Sequence, residues 1–256
     1  MERAVISDIH SNIEALTEVF KDIKARGIRE VICLGDVIGY GPNPRECLEM
    51  VARECEIILM GNHEEAVISG AFGFHEAAKK AVDWTRGQLK PTFFSGSRIR
   101  NNWERINRLP LTYREQKVLF VHGSPRDPTM EYILRSDVED IFGEIPDKIR
   151  EIFSMFETLC FVGHTHYPGA INEQSKFLIP DELDGSLKLE PGKKYIINIG
   201  SVGQPRDRNN KASYVSFDEE RVYWHRVEYD YRRTMKKILQ IEMLDNRNAE
   251  RLEMGI

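Results

Sequence analysis

Runs of metal-ligand residue types recur along this chain, each at the end of an apolar, strand-like segment. Asp8-x-His10 follows A-V-I-S, Gly35-Asp36 follows V-I-C-L, and Gly61-Asn62-His63 follows I-I-L-M. Further on, His122-Gly123 follows V-L-F-V, Gly163-His164-x-His166 follows L-C-F-V, and Asn198-x-Gly200-Ser201 follows Y-I-I. Of the 7 histidines, only His75 and His225 lie outside these runs. A lone histidine is usually a hydrogen-bonded structural residue; repeated placement at strand ends points instead to metal ligation. If the backbone is extended, alternate residues of D-x-H and H-x-H point the same way, so each pair offers two ligands to one small volume. Glycines beside Asp36, Asn62, His122 and His164 suit tight turns with close backbone approach. The chemistry of such a site is activation of water by bound cations.

These residues must be positioned by elements that end near one another. Side chains at the carboxyl ends of neighbouring strands in an open α/β sheet meet in one crevice. The opening of the chain reads β-α-β-α-β. A strand spans Ala4–Ser7, and Ser11 with Glu14 forms a capping box for a helix carrying Ile13, Leu16, Phe20 and Ile23 and closed by Gly27. A strand at Val31–Leu34, a helix from Pro44 to Ala52 and a strand at Ile57–Met60 follow, which predicts a parallel half-sheet. Residues 66–109 are helical in tendency, as is Ser136–Phe156, with a break at Pro146. Residues 171–195 read as a loop-and-hairpin excursion. Strands return at Tyr195–Ile199, Ser213–Phe217 and Val222–Tyr229, and one amphipathic helix from about 230, using Met235, Ile238 and Leu239, ends the chain.

The chain has 256 residues and 41% apolar content, enough for a full core within a single domain over 1–256. Its net charge of −5 is spread without a basic stripe, so neither nucleic-acid coating nor membrane-surface binding is expected. Cys33, Cys47, Cys55 and Cys160 lie far apart, with no C-x-x-C pair, and Cys33 and Cys160 fall within apolar strands. No stretch of 18 apolar residues and no secretory signal ahead of Asp8 is found, so a reducing, cytoplasmic setting is expected.

In this order, D-I-H, G-D-x-x-G, G-N-H-E, H-G and G-H-T-H resemble the calcineurin-like (binuclear) metallophosphoesterases, from Asp8 to about Ser201. The late block N-I-G-S-V-G-Q-P-R-D is similar to that of the small bacterial and archaeal members. The resemblance implies an α/β fold: a four-layer α/β/β/α sandwich of two mixed sheets flanked by helices. It also implies two divalent transition-metal ions. Asp8, His10, Asp36 and His166 match the ligands of one metal. Asp36, Asn62, His122 and His164 match those of the second, with Asp36 bridging. His63 matches the family's non-ligand histidine beside the leaving group.

Elementary chemistry agrees with that division. A bridging ligand between two cations must be short and anionic, which suits Asp36 and not Asn62. Mixed imidazole, carboxylate and amide donors suit manganese first, with iron, nickel, cobalt or zinc as alternatives, rather than a hard all-oxygen magnesium or calcium cage. Two such cations turn a shared water into hydroxide near neutral pH, and His63 is the candidate general acid for the departing alkoxide. Glu64 either orients His63 or merely opens a helix. Protein phosphatases of the family resemble G-D-x-V-D-R-G and R-G-N-H-E. Here Gly39-Tyr40 and Met60 replace the phosphate-gripping arginines, which argues against a protein substrate. Arg206 is the candidate phosphate contact, and Tyr40 and Asn12 lie beside motif residues.

The expected function is hydrolysis of phosphodiesters or phosphomonoesters of small molecules, with a nucleotide among the candidate partners. Pocket walls are expected from 66–117 and 168–195. Oligomeric state is unread. The alternatives are an amidohydrolase-type enzyme, whose H-x-H belongs on the first strand rather than late in the chain, and a non-catalytic metal-binding interaction module on the same fold. Members that have become binding modules have lost ligand histidines, whereas the full set is present here.

Overall fold

Apolar residues at a period of two make strands with two usable faces, and apolar residues at about 3.6 make helices with one. In the computed structural model, which describes residues 2–138 and 144–256, the first half runs β1 (Arg3–Ile6), α1 (Ile13–Ala25), β2 (Glu30–Cys33), α2 (Pro44–Glu54), β3 (Ile57–Ile58), α3 (Asn62–Ser69), α4 (Glu76–Leu89) and α5 (Ser97–Ile106). Next come β4 (Thr112–Glu115), β5 (Val118–Val121), α6 (Asp147–Ser154), β6 (Leu159–Val162), β7 (Gly169–Asn172), β8 (Phe177–Leu178), β9 (Ser186–Lys188) and β10 (Tyr195–Asn198). The chain ends with β11 (Ala212–Phe217), β12 (Arg221–Val227), α7 (Tyr231–Leu239) and α8 (Arg247–Met254).

The strands form two 6-stranded mixed sheets, β3-β2-β1-β11-β12-β9 and β4-β5-β6-β10-β7-β8. Alternation along each strand explains the layers. Val5 and Ile32 of the first sheet meet Phe120, Phe161 and Ile197 of the second in a core between the sheets. Ala4, Ile6, Val31 and Cys33 face outward onto Leu16, Phe20 and Ile23 of α1 and Leu48 and Val51 of α2. On the far side Leu119, Val121, Cys160 and Val162 receive Ile149, Ile152 and Phe153 of α6. The result is the four-layer α/β/β/α sandwich expected above.

This architecture places the site through strand direction. β1, β2 and β3 are mutually parallel, as are β5, β6 and β10. Asp8, Asp36 and Asn62 therefore leave the first sheet at one edge, and His122, His164 and Asn198 leave the second likewise. Stacking the sheets brings the two sets of loops face to face.

Several elements differ from their expected form. α1 is capped one residue later, by Asn12, whose Oδ1 accepts from the Ala15 N–H at 3.1 Å. Ser11 is in the left-handed region at φ 56°, and Glu14 reaches away to α7, accepting from Thr234 and Lys237. β3 is two residues long rather than four. The 171–195 excursion crosses between layers: β7 and β8 pair in the second sheet, whereas β9 pairs with β12 in the first. The single C-terminal helix is in fact two. Ile238, Leu244, Ala249 and Leu252 all turn inward onto Ala78, Ala81 and Tyr40, so the chain folds back to bury one apolar face twice. Part of the helical segment expected over Ser136–Phe156 lies outside the described residues; the rest is a short 3₁₀ turn at Arg135–Val138 and α6.

Asn12 ties these pieces together. Besides capping α1, its Nδ2 donates to the Gly203 carbonyl at 2.9 Å and its Oδ1 accepts from Thr234 of α7 at 3.0 Å. Asn12→Ala removes the cap and leaves buried partners unpaired. The expected loss is about 2–4 kcal/mol of unfolding free energy, read from urea denaturation.

Candidate metal centre

Asp8, His10, Asp36, Asn62, His63, His122, His164 and His166 are all buried, and all converge where the two sheets' loops meet. They group as Asp8, His10 and His166; Asp36, His122 and His164; and His10, Asp36 and His63, each group offering ligand atoms within 4.8 Å of one another. The expected ligands are thus brought together. Asn62 joins them, with Oδ1 3.1 Å from His122 Nε2.

The backbone that does this is not extended. Asp8, His10, Asp36, His164 and His166 all have left-handed φ values, 54°, 49°, 50°, 64° and 62° respectively. The extended backbone on which the D-x-H and H-x-H reading was conditional is not what forms, because the chain must leave the sheet at once. Left-handed residues turn it sharply while keeping both side chains on the cavity side. Asp and His tolerate this region better than most residues, at a cost of roughly 1–3 kcal/mol each.

Backbone carbonyls decide which ring nitrogens face inward. His10 Nδ1–H donates to the Ile38 carbonyl at 3.2 Å, and His166 Nδ1–H to the Gln204 carbonyl at 2.6 Å. Their Nε2 lone pairs then face each other across 3.0 Å. His164 Nε2–H donates to the Met130 carbonyl at 3.3 Å, leaving Nδ1 3.2 Å from His122 Nε2. Opposed bare lone pairs repel unless a cation or proton lies between them. Asp8 Oδ1 is also buried without a hydrogen-bond partner among the described residues, 3.2 Å from His166 Nε2. Imidazole and carboxylate donors held this way by outer partners are the donor set of a divalent transition metal, so the residues fit such ions.

Asp36 occupies the middle. Its Oδ1 accepts the His63 backbone N–H at 2.9 Å. Its Oδ2 lies 3.7 Å from His10 Nε2 and 3.4 Å from His122 Nε2, one histidine from each group. Gly61 carries no Cβ because one would collide with this carboxylate. Glu64 neither touches His63 nor simply opens α3. Its carboxylate accepts the Asp36, Ile38 and Gly61 N–H groups at 2.8, 3.1 and 3.0 Å, clamping the loop that carries Asp36. The His63 ring packs against His10, Tyr40 and Phe74. It occupies the space that a side chain on Gly39 would need.

One contact carried no sequence signal. Tyr132 lies flat on His164, with ring centroids 3.8 Å apart at 15°. Asn198 donates to the Gly163 carbonyl and Thr165, both at 2.9 Å, and so staples the H-x-H loop rather than joining the cluster. Ser201 donates to the Asp8 carbonyl at 2.7 Å. Arg206 is half-buried; its Nη2 donates to Gln204 Oε1 at 2.7 Å and its guanidinium lies over the Tyr40 ring at 5.9 Å.

Charge in the metal-free protein is set by competition between burial and neighbours. Burial pushes Asp8 and Asp36 up. The His166 imidazole for Asp8, and those of His122, His63 and His10 for Asp36, more than offset this and hold both below the carboxylate range. Burial drives His164 down to about 3 and His63 to about 4, and lowers His10 and His166 as well. Burial also opposes a charge on His122, but the Asp36 carboxylate outweighs it and raises His122 to about 9.

Residues 1–197 match the calcineurin-like phosphoesterase family, and the chain belongs to it. It is 38% identical over 261 residues to the uncharacterized protein MJ0912 of Methanocaldococcus jannaschii, covering 98% of this chain and 97% of that one. A solved metallophosphoesterase from Sphaerobacter thermophilus superimposes with a TM-score of 0.81 at 36% identity, covering 100% of this chain and 99% of that one. The hypothetical protein PH1004 from Pyrococcus horikoshii shares the fold, with a TM-score of 0.74 at 20% identity over 100% of this chain and 98% of that one. The family uses divalent metal ions, and the clusters above are the groups that could hold them.

A metal ion needs His122 neutral, whereas His10, His164 and His166 have already lost their protons at neutral pH. Uptake of metal should therefore release a proton from His122, with affinity rising up to tenfold per pH unit until about 9 and levelling above it. Calorimetric titration of manganese in buffers of different ionisation enthalpy measures that proton; affinity flat between pH 6 and 9 would exclude it.

Proposed function

We propose that this protein is a binuclear metal-dependent phosphoesterase acting on small phosphodiesters or phosphomonoesters, nucleotides among them, and that it works in the cytoplasm. In this reading Asp8, His10, Asp36 and His166 hold one ion and Asp36, Asn62, His122 and His164 the other. The observation that carries it is Asp36 Oδ2 standing between His10 and His122, with the other oxygen already taken by a backbone N–H. Manganese is the first choice of metal on the mixed donor set. Four free cysteines, and no helix among the described residues long and apolar enough to cross a membrane, support the location.

When bound, two cations supply a water that ionises near neutral pH and positive charge for the phosphoryl oxygens. The remaining work falls to the chain. Arg206, fixed to Gln204, is placed to grip a phosphate oxygen, since a guanidinium matches that geometry. His63 is the proton source for the leaving oxygen. Its Nδ1 is buried with no hydrogen-bond partner among the described residues, so no protein acceptor fixes the ring's proton on that nitrogen. At rest burial keeps the ring neutral; the negative charge of a bound ester favours the protonated form. Tyr40 and Phe74 wall its ring and exclude water from it.

The direct test is turnover of p-nitrophenyl phosphate and bis-p-nitrophenyl phosphate with manganese, nickel, cobalt, zinc and magnesium in turn. Faster hydrolysis of the diester with a transition metal is expected; full metal loading with no turnover of either ester would favour a non-catalytic binding module. His63→Ala should keep its metal content and lose about a hundred- to ten-thousand-fold in kcat. Metal loss in that variant would instead make His63 a ligand.

Asp36→Asn tests the bridge. One group serving both ions predicts that both positions lose occupancy together, seen by elemental analysis of the purified variant. Two full equivalents retained would contradict the shared carboxylate.

A further inference from the structure

One cavity, about 660 Å³, opens beside Arg3, Val118 and Leu159, where β1, β5 and β6 begin. The proposed ligands lie at the other ends of those strands, and the buried charge there is already paired, Arg3 with Glu30 and Glu115. It offers nothing to an ester bound at the metal centre. A second cavity, about 350 Å³, is lined by chain neighbours of the clustered residues, among them Thr165 and Tyr167 on either side of His166.

Its near wall is built from the H-x-H loop itself. Thr165 lies between His164 and His166, Tyr167 follows, and Arg206 is tied to His166 by its own N–H donating to the His166 carbonyl at 3.2 Å. The segment whose Tyr132 covers His164 continues into Ile133, Leu134 and Arg135 and makes a second wall. Phe177 closes the far side, 6.2 Å from the Tyr167 ring, with the Arg135 guanidinium over its face at 5.8 Å. Among the described residues no carboxylate lines this cavity. Its surface is mainly aromatic and aliphatic, with the hydroxyls of Ser136 and Thr165 and positive charge at both ends, Arg206 beside the H-x-H loop and Arg135 over Phe177. Its volume falls at the low end of small-molecule pockets, roughly 300–1,000 Å³. That is room for one ring system and its sugar, not for a folded protein segment.

We propose that the cavity between Leu134, Arg135, Tyr167, Phe177 and Arg206 is the subsite for a planar aromatic group esterified to the reacting phosphate, so that nucleoside and aryl phosphates are selected over alkyl ones. The inference rests on the phosphoesterase reading above. Arg206 is common to both parts of the site. It faces the phosphate at one end of the cavity, while the rings of Phe177 and Tyr167 offer π-faces at the other, where a base can stack without regard to its hydrogen-bonding edge.

Calorimetry on the manganese-loaded protein, comparing AMP with base-free ribose phosphate, tests the subsite without requiring turnover. The base is expected to tighten binding by about tenfold in the wild type, and Phe177→Leu, which keeps apolar packing over Gly169, is expected to erase most of that difference while leaving ribose phosphate unchanged. Equal affinity for the two ligands in the wild type, or a preference that survives Phe177→Leu, would overturn it. Hydrolysis of methyl p-nitrophenyl phosphate, measured alongside, separates the two readings. Turnover of that ester with no preference for AMP would sink the subsite alone. A preference for AMP that Phe177→Leu removes, with no ester hydrolysed, would keep the subsite and sink the phosphoesterase reading.

Discussion

Two carboxylates and five imidazoles are held at the junction of two sheets with almost no access to water. Burying a single charge is costly unless it is paired and hydrogen-bonded, and here several ring nitrogens present lone pairs to one another. One proton on His122 relieves part of this in the metal-free protein. It does nothing for the His10 and His166 pair, whose N–H groups are already bound to carbonyls on the outside. A protein that spends stability on this arrangement has an interior shaped to hold cations, and the other features of the fold follow from keeping that arrangement in place.

Neither sheet can hold it alone. Asp8 belongs to the first sheet and His164 to the second, and the His164 N–H donates to Asp8 Oδ2 at 3.0 Å. Ser201, beyond β10, donates to the carbonyl of the same aspartate. Glu64 reaches from the start of α3 to clamp the loop after β2. These hydrogen bonds stitch the loops across the inter-sheet core, so errors in the register of either sheet would be felt at the centre as a misplaced ligand atom. Left-handed backbone at five of the clustered residues is tolerated because every flanking segment is fixed by a strand or helix.

The fold was largely legible because its cause is periodic. Strands ending in Asp, Asn or His announce themselves by composition, and the layers follow from alternation. The members of the cluster were legible for the same reason: their side-chain types are unusual at strand ends. What stayed hidden works through the backbone. The carbonyls of Ile38, Met130 and Gln204 that set the tautomers have no side-chain signature, and a left-handed Asp8 or His10 reads no differently from an extended one. Glu64 does open α3, accepting the Gly61 N–H from its first turn, but its two further amide partners, Asp36 and Ile38, are invisible in any motif. Asn12 displaced Ser11 as the cap because Ser11 was needed in the turn out of β1. The C-terminal stretch read as one helix because its two halves share one apolar period, and only the inward turn of Leu244 divides them.

Tyr40 shows how the periphery reaches the chemistry. It stands at the arginine position of the G-D-x-V-D-R-G pattern, and its ring is packed by His10, His63 and the Arg206 guanidinium. Behind it lie Ile238, Leu244 and Leu252 of the two C-terminal helices. Those helices fall outside the 1–197 stretch that the family matches, yet they brace a residue in contact with two histidines of the cluster. Asn12 adds a polar link, joining α1, the Gly203 loop and Thr234 of α7 at one point. Replacing a charged phosphate grip by an aromatic ring with an arginine across its face changes what the site can recognise. It leaves no fixed cation at that position beside the cluster, and Arg206 lines the cavity with Tyr167 and Phe177. The proposed subsite rests on that placement: positive charge stands beside the aromatic wall, where a phosphate carried next to a ring would meet it.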